Sequence, residues 1–243
     1  MKTKIENTHP VKRAKVYVVG EIIMVFIPVL FFLLLMGSWV GDNPVRGFTI
    51  IWIANVLMLF LVLVSVKLRG DSLKEFGLTF PRINLRGVLK VFGLSLLVFV
   101  FGIFAYLLVP VIVASLTDID LNADFSSYDY LKDNIAGFLL SLVGVYIVSS
   151  FGEEVIYRAF LINRISEIVS STKFKNSIAI ILSSVIFGLI HYKWGAVGML
   201  QTGFMGLAMG ISYVLLKKKL WVLVLAHAYM DTILLVQLYL ASN

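Results

Sequence analysis

The sequence contains no cysteine, which excludes disulfides, thiolate nucleophiles and thiolate metal sites. Charge is scarce. Only 14% of residues are Asp, Glu, Lys or Arg, against about 25% in ordinary soluble domains. Linkers rich in Gly, Ser or Pro, internal repeats and low-complexity tracts are missing too, so the 243 residues form one membrane domain. Apolar residues dominate instead, at 60%. A water-soluble fold of this size lacks the polar surface to cover such a core. The net charge of +7 lies in short segments between apolar runs, with no basic stripe interleaved with aromatics, so nucleic acid is excluded as a partner. The partner that the pattern demands is the lipid bilayer.

Seven apolar stretches stand out: Val16–Trp39, Gly47–Val66, Gly87–Ala114, Ile135–Ile165, Ser177–Tyr192, Gly195–Leu216 and Leu220–Ala241. Most reach the roughly 20 residues that cross a bilayer as helix; the fifth is the shortest. Lipid offers no partner to free backbone groups. The expected fold is therefore all-α, a polytopic membrane bundle of about seven helices, or eight with a re-entrant or split one. Residues 1–134 form an N-terminal region of three spans, and residues 135–243 form a four-span core. The first stretch follows Lys2, Lys4, Lys12, Arg13 and Lys15, but it is too long for a signal peptide and lacks a small-x-small cleavage site, so it is expected to be a retained anchor.

Charge bias sets the orientation. The basic prelude, the second–third loop (Lys67, Arg69, Lys74, Arg82, Arg86), the fourth–fifth connection (Arg164, Lys173, Lys175) and Lys217, Lys218 and Lys219 alternate with segments poor in base. One of those holds Asp42 and Arg46 and another only Lys193, while the third–fourth loop is acidic, with Asp118, Asp120, Asp124, Asp129 and Asp133. The positive-inside rule then predicts a multi-pass cell-membrane protein with a cytoplasmic N-terminus. Asp71–Arg86, broken by Pro81, reads as a short interfacial helix and turn, or as a solvated loop.

Ionisable groups inside spans are costly and are therefore candidate functional groups. The fourth span carries Glu153, Glu154 and Arg158, the fifth ends on Phe187–His191, and the seventh carries His227 and Asp231. Glu154 and Arg158 are spaced i,i+4, acid first, and are expected to form a structural ion pair. Glu153 lies about 100° round an α-helix from Glu154 and keeps no such partner, which suits it for chemistry. His227 and Asp231 share one helix face. Taken singly, each has a plain explanation in snorkelling, interfacial capping or a local helix hydrogen bond. Gly198, Gly203, Gly206 and Gly210 read as close-packing positions. Convergence of acid and two histidines on three spans of one half favours chemistry. At 1.5 Å per residue, Glu153 counts near mid-bilayer, His227 in the cytoplasmic half and His191 nearer the outer face.

These residues resemble the CAAX-protease and bacteriocin-processing family of intramembrane endopeptidases, also called Abi proteins. The pattern EExxxR is matched by Glu153-Glu154-Val155-Ile156-Tyr157-Arg158, FxxxH by Phe187-Gly188-Leu189-Ile190-His191, and HxxxN/D by His227-Ala228-Tyr229-Met230-Asp231. The resemblance covers about Ile135 to Ala241. It implies hydrolysis of a peptide bond in a membrane-associated or membrane-delivered peptide. Glu153 would activate water with help from His191, while His227 and Asp231 would steady the oxyanion. Substrates could be prenylated C-terminal tails, bacteriocin-like or pheromone peptides, or other small membrane peptides.

Asp231 fits this scheme awkwardly, because an ionised aspartate repels an oxyanion; it must be protonated in an apolar site or do something else. Two histidines and a carboxylate are also a catalytic zinc set, so His191, His227 and Asp231 (or Glu153) could hold one Zn2+. Residue types alone allow either mechanism, and the resemblance favours the metal-free one. Two other classes have the same spans: a non-catalytic interaction or immunity protein with a vestigial site, and a small transporter, although the related halves common in transporters are not visible.

Overall fold

In lipid, backbone groups can be satisfied only within the segment, and each apolar run closes into helix. The computed structural model describes residues 15–41, 43–79, 84–117 and 123–242. Among them are seven long helices: α1 Lys15–Val40, α2 Pro44–Arg69, α3 Leu85–Leu116, α4 Ile135–Ile168, α5 Lys175–Leu189, α6 Gly195–Leu215 and α7 Leu220–Ser242. There are no strands among the described residues. Six of the helices are long and apolar enough to cross a bilayer. The exception is α5, whose 15 residues reach about 22 Å. The polytopic all-α bundle expected from the sequence is the fold observed.

Helix starts follow local chemistry. Asn43, Asn84 and Asn134 each sit before a helix, and their side chains accept from Arg46, Gly87 and Gly137 backbone N–H at 3.1, 2.7 and 2.9 Å, the N-cap arrangement that satisfies otherwise orphaned donors. Gly70 ends α2 with φ 74°, where a side chain would be strained.

The central element is α4. Every residue from Gly152 to Ile162 is buried, as expected of a helix surrounded by others. Its middle section, Tyr146–Ile162, is π-helical, with i→i+5 bonds that widen the turn beyond 3.6 residues. Around it, α2, α5 and α7 pack on this middle section and α1 on its end, while α3 lies across α6 and α7. The approach of α5 to α6 depends on glycine. A Cβ on Gly188 would lie 2.6 Å from the Met199 carbonyl oxygen, and one on Gly206 would lie 3.0 Å from the Phe187 ring. Outward-facing Leu, Phe and Val side chains on α1 to α3 are heavily exposed, for example Leu34 and Leu97, which is the surface that lipid covers.

At the end of the bundle that carries Lys217–Lys219, two arginines knit three acids together. Arg69 meets Glu21, Asp71 and Glu167 at 3.2, 3.2 and 2.6 Å, and Arg164 meets Glu21 and Asp71 at 2.7 and 2.8 Å. The Arg164 guanidinium also lies over the Phe76 and Phe160 rings. The interfacial segment is a short 3-10 turn, Leu73–Phe76, with Phe76 buried and its carbonyl accepting from Tyr213. Gly77 follows at φ 81°, where a Cβ would collide with the Lys218 carbonyl. The segment is thus docked on the bundle. Lys2, Lys4, Lys12, Arg13, Asp42, Pro81, Arg82, Asp118 and Asp120 lie outside the described residues.

Arg164→Ala would leave Glu21 and Asp71 each without one of their cations, and removing one member of a buried charge cluster costs about 3–5 kcal/mol. The expected outcome is a clearly lower melting temperature in detergent, while Lys67→Ala, at an exposed position in the same region, leaves it unchanged. Equal melting of both variants would refute the clamp.

Candidate active site

His227 is the hub. Its Nδ1 lies 2.8 Å from Glu154 Oε1. Its Nε2 faces Ser149 Oγ at 3.4 Å, Asp231 Oδ1 at 3.7 Å and Glu153 Oε2 at 4.0 Å. A carboxylate can only accept, so Nδ1 carries a proton and Glu154 fixes the ring orientation. Asp231 Oδ2 accepts from Ser150 Oγ at 2.7 Å. Glu154 also meets Arg158, with Nη1 to Oε1 at 3.1 Å, and both side chains are fully buried. That contact is not aligned as a hydrogen bond: among the described residues both terminal guanidinium nitrogens lack one, as does Glu154 Oε2. The guanidinium instead sits over Phe187, 4.3 Å from its centroid, a cation–π contact that gains strength out of water.

Phe187 joins the three motifs. Its ring meets Tyr157, His191 and His227 edge-on at 5.1, 4.9 and 6.4 Å. His191 follows the end of α5, with Nδ1 2.8 Å from the Phe187 carbonyl oxygen. That oxygen accepts, so Nδ1 holds the proton and Nε2 presents a lone pair. The Ser183 hydroxyl donates to the Tyr157 carbonyl at 2.8 Å and ties α5 to α4.

Glu153, His191, His227 and Asp231 all line one cavity of about 1140 Å³, and Glu154 and Arg158 do not. The structure thus places Glu153 in front and the Glu154–Arg158 pair behind His227. The pairing of Glu154 with Arg158 is as expected from i,i+4 spacing. Within a π-helix successive residues differ by less than 100°, so Glu153 and Glu154 lie closer round α4 than the α-helical spacing predicts, and Glu154 serves His227 as well as Arg158. The helix stops at Leu189 rather than Tyr192, and His191, just beyond it, lines the same cavity as Glu153.

At its far end the cavity is walled by aromatic rings from three segments. Phe48 lies 4.7 Å from Tyr128, Phe125 lies 5.2 Å from Trp194, and Trp194 lies 4.8 Å from His191. Burial raises the Tyr128 phenol above its ordinary value and the Asp231 carboxylate raises it further, so it remains a hydrogen-bond donor. The residues that sequence reasoning passed over are Ser149, Ser150, Tyr128 and Gln201. The two serines were visible as a polar pair one turn before Glu153, but hydroxyls are cheap in membrane helices. Among the described residues no three His, Asp or Glu side chains converge as a metal ion requires. Both nitrogens of His227 are turned to carboxylates or a hydroxyl.

Residues 135–233 match the family model described as Type II CAAX prenyl endopeptidase Rce1-like. Over this stretch the recognition made from the three motifs is borne out. The match spans α4 to α7 and includes every residue of the cluster, and the matched family is one of CAAX prenyl endopeptidases. No curated protein and no solved structure matches the chain.

Proposed function

We propose that the chain is an intramembrane endopeptidase that hydrolyses a peptide bond in a membrane-associated or membrane-delivered peptide by a metal-free mechanism. The observation that supports this is the shared cavity, which admits Glu153, His191, His227 and Asp231 and leaves Glu154 and Arg158 outside. Water held by Glu153 and His191 Nε2 attacks the scissile carbonyl carbon, and Glu153 takes its proton. The oxyanion faces His227, whose Nε2–H donates while Nδ1–H stays on Glu154. As the C–N bond breaks, the proton on Glu153 moves to the departing amine. Asp231 acts through His227: as an anion held by Ser150, it favours the imidazolium. This role needs no protonated aspartate.

The cavity exceeds the roughly 300–1,000 Å³ of ordinary small-molecule pockets, which suits a stretch of polypeptide. A comparison of peptides in membranes from cells with and without the chain, with Glu153→Ala as control, tests the reading. Fragments present only with the parent chain support it, and identical peptide sets from all three oppose it.

Asp231→Asn discriminates between the mechanisms. It keeps an acceptor for Ser150 but removes the charge beside His227, so an activity loss of about tenfold is expected, matching one weakened charge interaction of roughly 1.4 kcal/mol. A zinc ligand would cost orders of magnitude, and parent protein would then carry stoichiometric zinc by elemental analysis.

The orientation belongs to the same proposal. Basic loops inside place the N-terminus in the cytoplasm and the aromatic end of the cavity outside. A reporter after Lys219 should behave as internal and one beside Asp129 as external; the reverse pattern would invert the topology.

A further inference from the structure

To the same cavity α6 contributes a polar side chain whose chemistry is unused. Gln201 is buried at 6% exposure and lines the cavity, yet its Oε1 has no hydrogen-bond partner among the described residues. Buried carbonyl oxygens are nearly always paired, so an unpaired one calls for an explanation. Its neighbour Thr202 offers no help, because that hydroxyl is engaged with the Gly198 and Met199 carbonyls at 2.8 and 3.2 Å.

Position along α6 gives the orphan a use. Gln201 stands six residues beyond Gly195, where α6 begins, about 9 Å below that end. Five residues deeper, Gly206 is against Phe187 and Arg158, the level of the proton-transferring cluster. An occupant running from the aromatic end to Glu153 must pass Gln201. A carboxamide matches a peptide group in shape and polarity: its oxygen accepts from a backbone N–H and its NH2 can donate to a backbone carbonyl. No charge accompanies it, so it reads main chain rather than a charged side chain.

We propose that Gln201 is a substrate-positioning residue whose Oε1 accepts a backbone N–H of the peptide, holding the segment extended through the cavity toward Glu153. This rests on the endopeptidase reading. It adds that the substrate is recognised through its main chain, one or more residues away from the bond that is cut.

The test uses the full chain in proteoliposomes with a defined library of synthetic peptides carrying a C-terminal apolar anchor. The probe is the library peptide cut fastest in a Glu153-dependent manner, remade with a single N-methyl group at each backbone nitrogen in turn. With the parent chain, N-methylation at one position away from the scissile bond should raise KM about tenfold, the worth of one hydrogen bond to a buried acceptor. Gln201→Leu should raise KM for the unmethylated peptide by a similar factor at nearly unchanged kcat, and N-methylation at that position should then have no further effect. Gln201→Glu keeps an acceptor oxygen and should retain the parental methylation pattern, which separates positioning from packing if the Leu variant accumulates poorly. An unaltered KM in Gln201→Leu, or an unaltered N-methyl penalty in it, overturns the proposal and leaves the peptidase reading intact. Absence of any Glu153-dependent cleavage overturns both.

Discussion

Glu153→Gln is expected to lower the rate of peptide cleavage by about 10²–10⁴-fold, the usual worth of a general base, while the protein accumulates and melts as the parent does. Glutamine has the shape of glutamate but cannot take a proton from water. The fold should tolerate the change because Glu153 holds nothing together: its nearest charged partner is His227 Nε2 at 4.0 Å, beyond hydrogen-bond reach, and its other side is the cavity. Glu153→Asp keeps the base but withdraws it by one methylene. Misplacement of about 1 Å costs on the order of 10²-fold, so this variant should be slow but active. Initial rates in proteoliposomes and melting curves in detergent check both. A Gln variant that cleaves at the parental rate would remove Glu153 from the chemistry.

Much of this arrangement could be read in the residues, and what could not has physical reasons. Hydropathy placed every helix end on described residues within about three positions, because leaving a polar backbone in lipid is so costly. The cluster was legible because ionisable groups in spans are rare. By contrast, the π-helical Tyr146–Ile162 segment depends on how α4 is gripped by its neighbours and has no local signature in the chain. Arg69 and Arg164 were legible only as markers of orientation. Glu21 and Glu167 are remote in sequence from Arg69, as Asp71 is from Arg164, and pairing at such separations leaves no periodicity to detect. Gln201 was invisible for a different reason. A glutamine in a glycine-rich span is unremarkable until its oxygen is seen to lack a partner.

Removing Glu154 should have the largest effect on the amount of folded protein. In Glu154→Leu the Arg158 guanidinium stays buried, over Phe187, with the carboxylate 3.1 Å away gone. An uncompensated buried charge of this kind costs about 3–5 kcal/mol, a large part of the roughly 5–15 kcal/mol that holds a typical domain together. Membranes should therefore contain little folded variant. Glu154→Leu/Arg158→Met removes both charges and fills the space with apolar atoms, an exchange that is often neutral or stabilising, so accumulation should return. Activity should not return with it, because His227 Nδ1 loses the carboxylate 2.8 Å away that fixes its proton. A misassigned imidazole tautomer of this sort can cost up to about 10⁴-fold in a related acid–histidine arrangement. Folded but inactive double variant, measured by quantitative blotting and by cleavage rate on the same membranes, is the expected result. A double variant that accumulates no better than Glu154→Leu would show that the pair is not the origin of the instability. One that regains full activity would show that Glu154 is structural alone and that His227 is oriented by something else.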